Sequence, residues 1–220
     1  MTFLARTLLI ASSMAMVAQA VPEVTAVETG EECSAYPKGG FNIQIDQCTD
    51  ASTGEACAFE GFQNNVQTVT TDWDGYSDLG QGLISIVPEK GAPINTMRCT
   101  VGSRSEVMIE VDCPNEINSV GIYEVEGSEL IGWGGPGPIT IPKPYLHYNK
   151  DGEELEGVFL GFDNVTTWGV RYHEARKDSV TPDPQPYYSV RLLAPGSEDP
   201  TTGELLGEGE SATFLRVSGT

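Results

Sequence analysis

Apolar and polar side chains alternate with a period of two along most of this chain. In Phe41-Asn42-Ile43-Gln44-Ile45-Asp46 and in Val107-Met108-Ile109-Glu110-Val111-Asp112-Cys113 the odd positions are apolar. Successive side chains of a strand point to opposite faces, so each run describes a strand with one buried face. The same rhythm or a short β-branched and aromatic run marks strands over 66–71, 83–87, 96–101, 119–125, 129–133, 145–148, 158–162, 167–172, 187–193 and 213–217. Helical periodicity is scarce, and 25 glycines and 14 prolines punctuate the gaps. The expected fold is all-β: an antiparallel β-sandwich or barrel-like arrangement, in one domain or two packed β-subdomains.

Turn chemistry fixes two hairpins. Asn149-Lys150-Asp151-Gly152 separates Tyr145–Tyr148 from Gly157–Leu160, and Asp-Gly supplies the positive φ that a reversal needs. Around Gly102-Ser103-Arg104-Ser105, a register keeping Cys99, Val101, Val107 and Ile109 on one face puts Cys99 opposite residue 109. Cys113 then lies about 13 Å away along the strand, too far for a bridge to Cys99. Both cysteines are therefore expected to bond to other segments, with Cys48 and Cys57 as candidate partners.

The pattern divides the chain. Residues 1–20 carry Arg6, an apolar run from Thr7 to Val17 and Ala18-Gln19-Ala20, the form of a secretory signal peptide with maturation near Val21. Residues 21–40 read as a loose acidic leader. A cysteine-containing β-region follows over 41–135, a Gly/Pro-rich connector over 136–144 and a cysteine-free β-region over 145–220. Export implies a secreted, extracellular or periplasmic location, where disulfides persist. The candidates are Cys33, Cys48, Cys57, Cys99 and Cys113; the odd count leaves one thiol free or available for a disulfide-linked dimer.

Charge narrows the partners. Loss of Arg6 with the signal leaves 11 Lys and Arg against 32 Asp and Glu, a net charge of −21. That field repels phosphate backbones and anionic lipid, so nucleic acid is excluded as a partner and membrane insertion is not expected. A protein or a glycan remains.

Candidate chemistry is sparse. Asp72-Trp73-Asp74-Gly75-Tyr76-Ser77-Asp78 sets carboxylates at alternating positions around a glycine, part of the pattern by which Asp72, Asp74 and Asp78 would hold calcium, the one cofactor the sequence admits. Position twelve of that loop is Leu83, not an acid, and a plain aspartate turn explains the same residues. Trp73 and Tyr76 are the candidate ligand-binding rings, suited to stacking on a sugar, whereas Trp133 and Trp168 read as core. His147 and His173 read as surface residues, and Asn164-Val165-Thr166 makes Asn164 a glycosylation acceptor in a eukaryotic host. Neither a nucleophile elbow nor a phosphate loop occurs, so no catalytic residue is assigned. Glu110, Asp112, Glu124 and Glu126 read as solvated faces of strands, and Glu153, Glu154 and Glu156 as a solvated acidic edge. The leading expectation is a non-enzymatic exported protein that binds a ligand or surface; a carbohydrate-binding module comes second and a two-carboxylate glycoside hydrolase third.

Overall fold

The computed structural model describes residues 22–30, 33–50, 53–59, 62–69, 82–88, 96–101, 107–113, 116–125, 128–133, 140–174, 186–198 and 202–219. The signal segment and the 72–78 loop, with Trp73, Tyr76, Asp72, Asp74 and Asp78, lie outside them. The described strands are β1 (Thr25–Glu28), β2 (Phe41–Thr49), β3 (Phe62–Val69), β4 (Gly82–Pro88), β5 (Met97–Val101), β6 (Val107–Cys113) and β7 (Glu116–Val125). They continue with β8 (Ser128–Trp133), β9 (Lys143–Tyr148), β10 (Val158–Gly161), β11 (Thr167–His173), β12 (Tyr187–Leu192) and β13 (Glu210–Gly219). A single 3-10 turn, Cys33–Ala35, is the only helical element among the described residues. The fold is all-β and antiparallel, and it is not closed into a barrel.

Pairing runs β1-β9-β10-β13-β11-β12-β8-β4-β3-β2-β5-β6-β7, and further bonds join β13 to β2 and β8 to β7. The two-residue rhythm survives intact where it was clearest: Phe41, Ile43, Ile45, Ile109 and Val111 are all buried. They share one core with Ile86, Met97, Val120, Ile122, Leu160, Trp168, Val170, Val190, Leu192, Leu215 and Val217. That core draws on strands from both sides of the 136–144 connector. Thr140 is itself bonded to Ile122 of β7 in both directions (2.7 and 3.2 Å), so the connector's end is stitched to the sheet.

β13 organises this arrangement. One edge pairs with β2 from Ala212↔Thr49 to Gly219↔Phe41, with a bulge between Ala212 and Phe214. Its other edge is shared end to end by β10 (Val158↔Val217 to Leu160↔Leu215) and β11 (Thr167↔Phe214 to Arg171↔Glu210). β10 and β11 are thus one interrupted course along β13. The interruption is a tight reversal in which Phe162 and Val165 exchange hydrogen bonds of 2.9 Å, while Asp163 and Asn164 take φ of 49° and 63°. Asp and Asn tolerate that left-handed conformation better than other non-glycine residues.

Two sequence readings change, and the hairpin at Asp151-Gly152 forms as read. The 21–40 segment is not loose throughout. Thr25–Glu28 pairs with β9 from Thr25↔Tyr148 to Glu28↔Tyr145, and Glu28 binds Lys143 at 2.8 Å. Four residues, none of them buried, carry too little apolar pattern to be read alone; what orders them is the edge of β9. The β9–β10 hairpin forms, with Gly152 at φ 80° and the Asn149 side-chain oxygen accepting from the Asp151 and Glu153 amides at 2.9 Å each. Its arms pair at Tyr148↔Glu154 near the tip and at Tyr145↔Phe159 below, so two extra residues bulge from the second arm. Gly157, at φ 124°, lies in that bulge.

The cysteines make the second change. β5 and β6 take the expected register, Cys99↔Ile109, and Cys99 does not bond Cys113. Cys48 and Cys57 are not its partners either. They bond each other across a short loop, and Cys99 bonds Cys33. Cys33 falls in the segment read as a loose acidic leader; the 3-10 turn brings it against β5. Cys113 is the remaining cysteine of the five.

A crosslink restricts the unfolded chain more when the closed loop is longer. The spans are 66 residues for Cys33–Cys99 and 9 for Cys48–Cys57. Urea unfolding of serine double variants is therefore expected to show a loss of about 4 kcal/mol for the first bridge and about 2.6 kcal/mol for the second. A larger loss for the Cys48–Cys57 pair would contradict the assigned pairing.

Candidate functional site

The described residues hold three polar constellations, and their roles differ. The first is a buried ion pair at the foot of β12 and β13. Arg191 donates to Glu210 through Nε (2.7 Å) and Nη2 (2.6 Å), and reaches the carbonyls of Ser197 (Nη1, 2.7 Å) and Leu205 (Nη2, 2.7 Å). The Gly207 amide donates to Glu210 at 2.9 Å. A forked guanidinium suits a carboxylate held in two bonds, and the two carbonyls take two more of its N–H donors. The pair therefore ties both ends of the segment between β12 and β13 to the sheet. Gly169, on the neighbouring strand, leaves room for it, since a side chain there would run into the Glu210 carboxylate.

The second constellation surrounds His147. This residue is fully buried rather than on the surface, because β9 presents it to a pocket of rings behind β13. Its ring stacks on Phe159 at 3.8 Å, with 2° between planes, and meets Phe214 edge-on at 4.6 Å. Nε2 lies 2.8 Å from the Thr166 hydroxyl, while Nδ1 has no hydrogen-bond partner. The reversal between β10 and β11 provides the cover: Thr166 reaches His147, and the Asn164 amide donates to the Tyr145 hydroxyl at 3.1 Å. Asn164 itself is exposed. Burial lowers the His147 pKa from 6.5 to about 4, since no solvent compensates a charged ring there.

His173 and the tyrosine pair complete that side. His173 stacks on Tyr187 (4.8 Å, 8°) and contacts the Ser189 hydroxyl at 2.9 Å, while Tyr188 meets Tyr172 and Phe59 edge-on. The adjacent tyrosines therefore serve opposite faces of β12, each against its cross-strand partner. His173 is half-buried, not exposed, and its pKa is lowered by desolvation first and by Arg171 next, against an opposing pull from Glu210. The acidic hairpin residues Glu153, Glu154 and Glu156 are exposed, consistent with a solvated edge.

The third constellation is concave. Between the 33–40 turn and β5 lies a cavity of about 470 Å³ lined by Cys33, Tyr36, Pro37, Lys38, Gly39, Gly40, Thr96, Arg98 and Cys99. Its construction is legible in local terms. The Cys33–Cys99 bridge clamps the turn to the strand, Tyr36 stacks on Phe41 at 5.0 Å, and Gly39 and Gly40 take φ of 110° and 114°. A side chain at Gly40 would strike Thr96, so only glycine lets the turn approach β5. Tyr36 is 5% exposed, and its hydroxyl has no partner among the described residues. Desolvation raises its pKa, keeping the phenol protonated and able to donate.

Among the described residues no group of three or more His, Cys, Asp or Glu is placed to hold a metal ion, and no helix is long and apolar enough to cross a membrane. The sequence pattern named neither the cavity nor the ion pair. Pro37-Lys38-Gly39-Gly40 between Cys33 and the start of β2 was the available signal for the cavity; Arg191 and Glu210, far apart in sequence, offered none. No family model matches the chain, and no curated protein matches it in sequence.

Two outcomes test these assignments. Arg191→Met leaves the Glu210 carboxylate buried without its cation and is expected to lose about 3–5 kcal/mol in urea unfolding. Replacing both by Met should lose less than the single change. For His147, the unfolded chain takes up the proton first as pH falls. Its contribution to stability is therefore complete above about 6.5 and is lost as pH falls towards about 4. His147→Gln keeps a donor for Thr166 and should flatten that part of the stability profile; an unchanged slope would contradict the buried neutral ring.

Proposed function

We propose that this protein is exported and acts by binding a small molecule, without chemical turnover, in the cavity between the 33–40 turn and β5. The observation that carries the reading is a cavity of about 470 Å³ whose wall is fixed by a disulfide, two positive-φ glycines and a stacked tyrosine. Ligand sites are commonly concave, largely preformed and about 300–1,000 Å³ in volume. Here the mouth is held open by covalent and steric constraints rather than by mobile side chains. Export is supported by the signal-like N-terminus and by two disulfides, which persist outside reducing compartments.

The purified mature chain, with its bridges intact, provides the test. Screening drug-sized compounds by thermal shift and amide chemical-shift mapping should yield ligands that perturb residues 36–40 and 96–99. Reduction of Cys33–Cys99 should abolish those perturbations. Hydrolysis of any member of a glycoside, ester and peptide substrate panel would overturn the reading, as would ligands that map only elsewhere.

A further inference from the structure

The only Asn-x-Ser/Thr sequon of the chain, Asn164-Val165-Thr166, sits at the reversal between β10 and β11, and the fold treats its two working groups differently. Asn164 is exposed, its backbone amide is bonded to the Tyr145 hydroxyl, and its carboxamide makes no hydrogen bond among the described residues. Thr166 is only 3% exposed, with its hydroxyl 2.8 Å from Nε2 of the buried His147. The reversal closes tightly around this arrangement. Phe162 and Val165 exchange hydrogen bonds in both directions, and a side chain at Gly161 would strike the Val165 carbonyl and Thr166.

A motif that demands a hydroxyl two positions after the asparagine is read by something that touches both groups at once. The finished fold does not offer them together: the carboxamide is in solvent and the hydroxyl lies against a buried ring. We propose that Asn164 carries an N-linked glycan, and that transfer takes place on the exported chain before the β10–β11 reversal closes. The step joins Asn164 Nδ2 to the anomeric carbon of a lipid-pyrophosphate-linked oligosaccharide. The bond from that carbon to the pyrophosphate oxygen breaks, the lipid pyrophosphate leaves with the electron pair, and the amide nitrogen gives up one proton. This assignment rests on export, as proposed above, and is independent of the cavity.

The topology supplies the interval that transfer needs. β10 and β11 lie end to end along β13, the last strand, and the His147 ring that holds Thr166 is itself packed on Phe214 of that strand. During synthesis and translocation Asn164 therefore emerges while its sheet partner is still to be made, and the reversal has nothing to close against. Once β13 docks, the Thr166 hydroxyl is covered. The folded protein accommodates the sugar, because Asn164 keeps its φ of 63° and the free carboxamide gives up no contact among the described residues.

The test has two arms. In the first, the full chain is translated in a cell-free system with eukaryotic microsomes. The wild type is expected to gain mass that an N-glycosidase removes, and Asn164→Asp, whose side chain also tolerates the left-handed conformation, should gain none. Translocation is read separately, by loss of residues 1–20 and protection from added protease. In the second arm, the mature chain made without glycan is given to purified oligosaccharyl transferase and its lipid-linked donor. Chain kept unfolded by reduction and alkylation of its cysteines should be modified at least about tenfold faster than the folded, disulfide-bonded chain, in which the reversal must first open. A translocated wild-type chain without glycan, or a glycan that persists in Asn164→Asp, would overturn the assignment. Equal rates on folded and unfolded chain would overturn the proposed order of events. Failure to translocate would remove export and the glycan with it, leaving the cavity to its own test.

Discussion

β13 must satisfy two edges and two faces at once, and the rest of the molecule is arranged around that demand. A strand with both edges paired leaves no backbone donor exposed, and β13 meets this by taking β2 along one side and β10 followed by β11 along the other. Leu215 and Val217 belong to the main core, while Phe214 turns the other way to the rings of Phe159 and His147. Because β2 is N-terminal and β10, β11 and β13 are C-terminal, the two ends of the chain are locked by one strand. A cut at the Gly/Pro-rich connector would therefore divide the sheet through its best-paired element.

Polar side chains finish what the strands leave open. Arg191 and Glu210 hold down the segment between β12 and β13; their pairing stabilises less by attraction than by sparing each charge an unpaired burial. Ser85 serves a similar purpose on a smaller scale, its buried hydroxyl accepting from the Tyr188 amide at 2.9 Å and so joining β4 to β12. His147, like Tyr36, departs from this, with a ring nitrogen left without a partner inside an aromatic stack. Its neutrality is imposed by surroundings that contain a hydroxyl and two phenyl rings but no charge.

The cavity lies on a molecule with a large excess of carboxylate. Excess carboxylate keeps such a molecule soluble and repels anionic polymers. The Cys33–Cys99 disulfide beside the cavity does more than crosslink: it holds the 33–40 turn against β5 at a distance that the bare Gly40 permits, so the cavity wall is set by covalent and steric constraints.

Strand identity was legible from sequence because alternation of side chains is a local property, set by the pleat and independent of what lies across the sheet. Phe41, Ile43 and Ile45, the Cys99↔Ile109 register and the Asp151-Gly152 reversal all follow from residues within a few positions of one another. Partnership across distance was not legible. β1 is ordered by an edge more than a hundred residues away, Cys33 finds Cys99 rather than a nearer thiol, and His147 is buried because a reversal from another part of the chain folds over it. Each depends on which elements become neighbours, and that is decided by the joint packing of all the strands rather than by the pattern within any one of them.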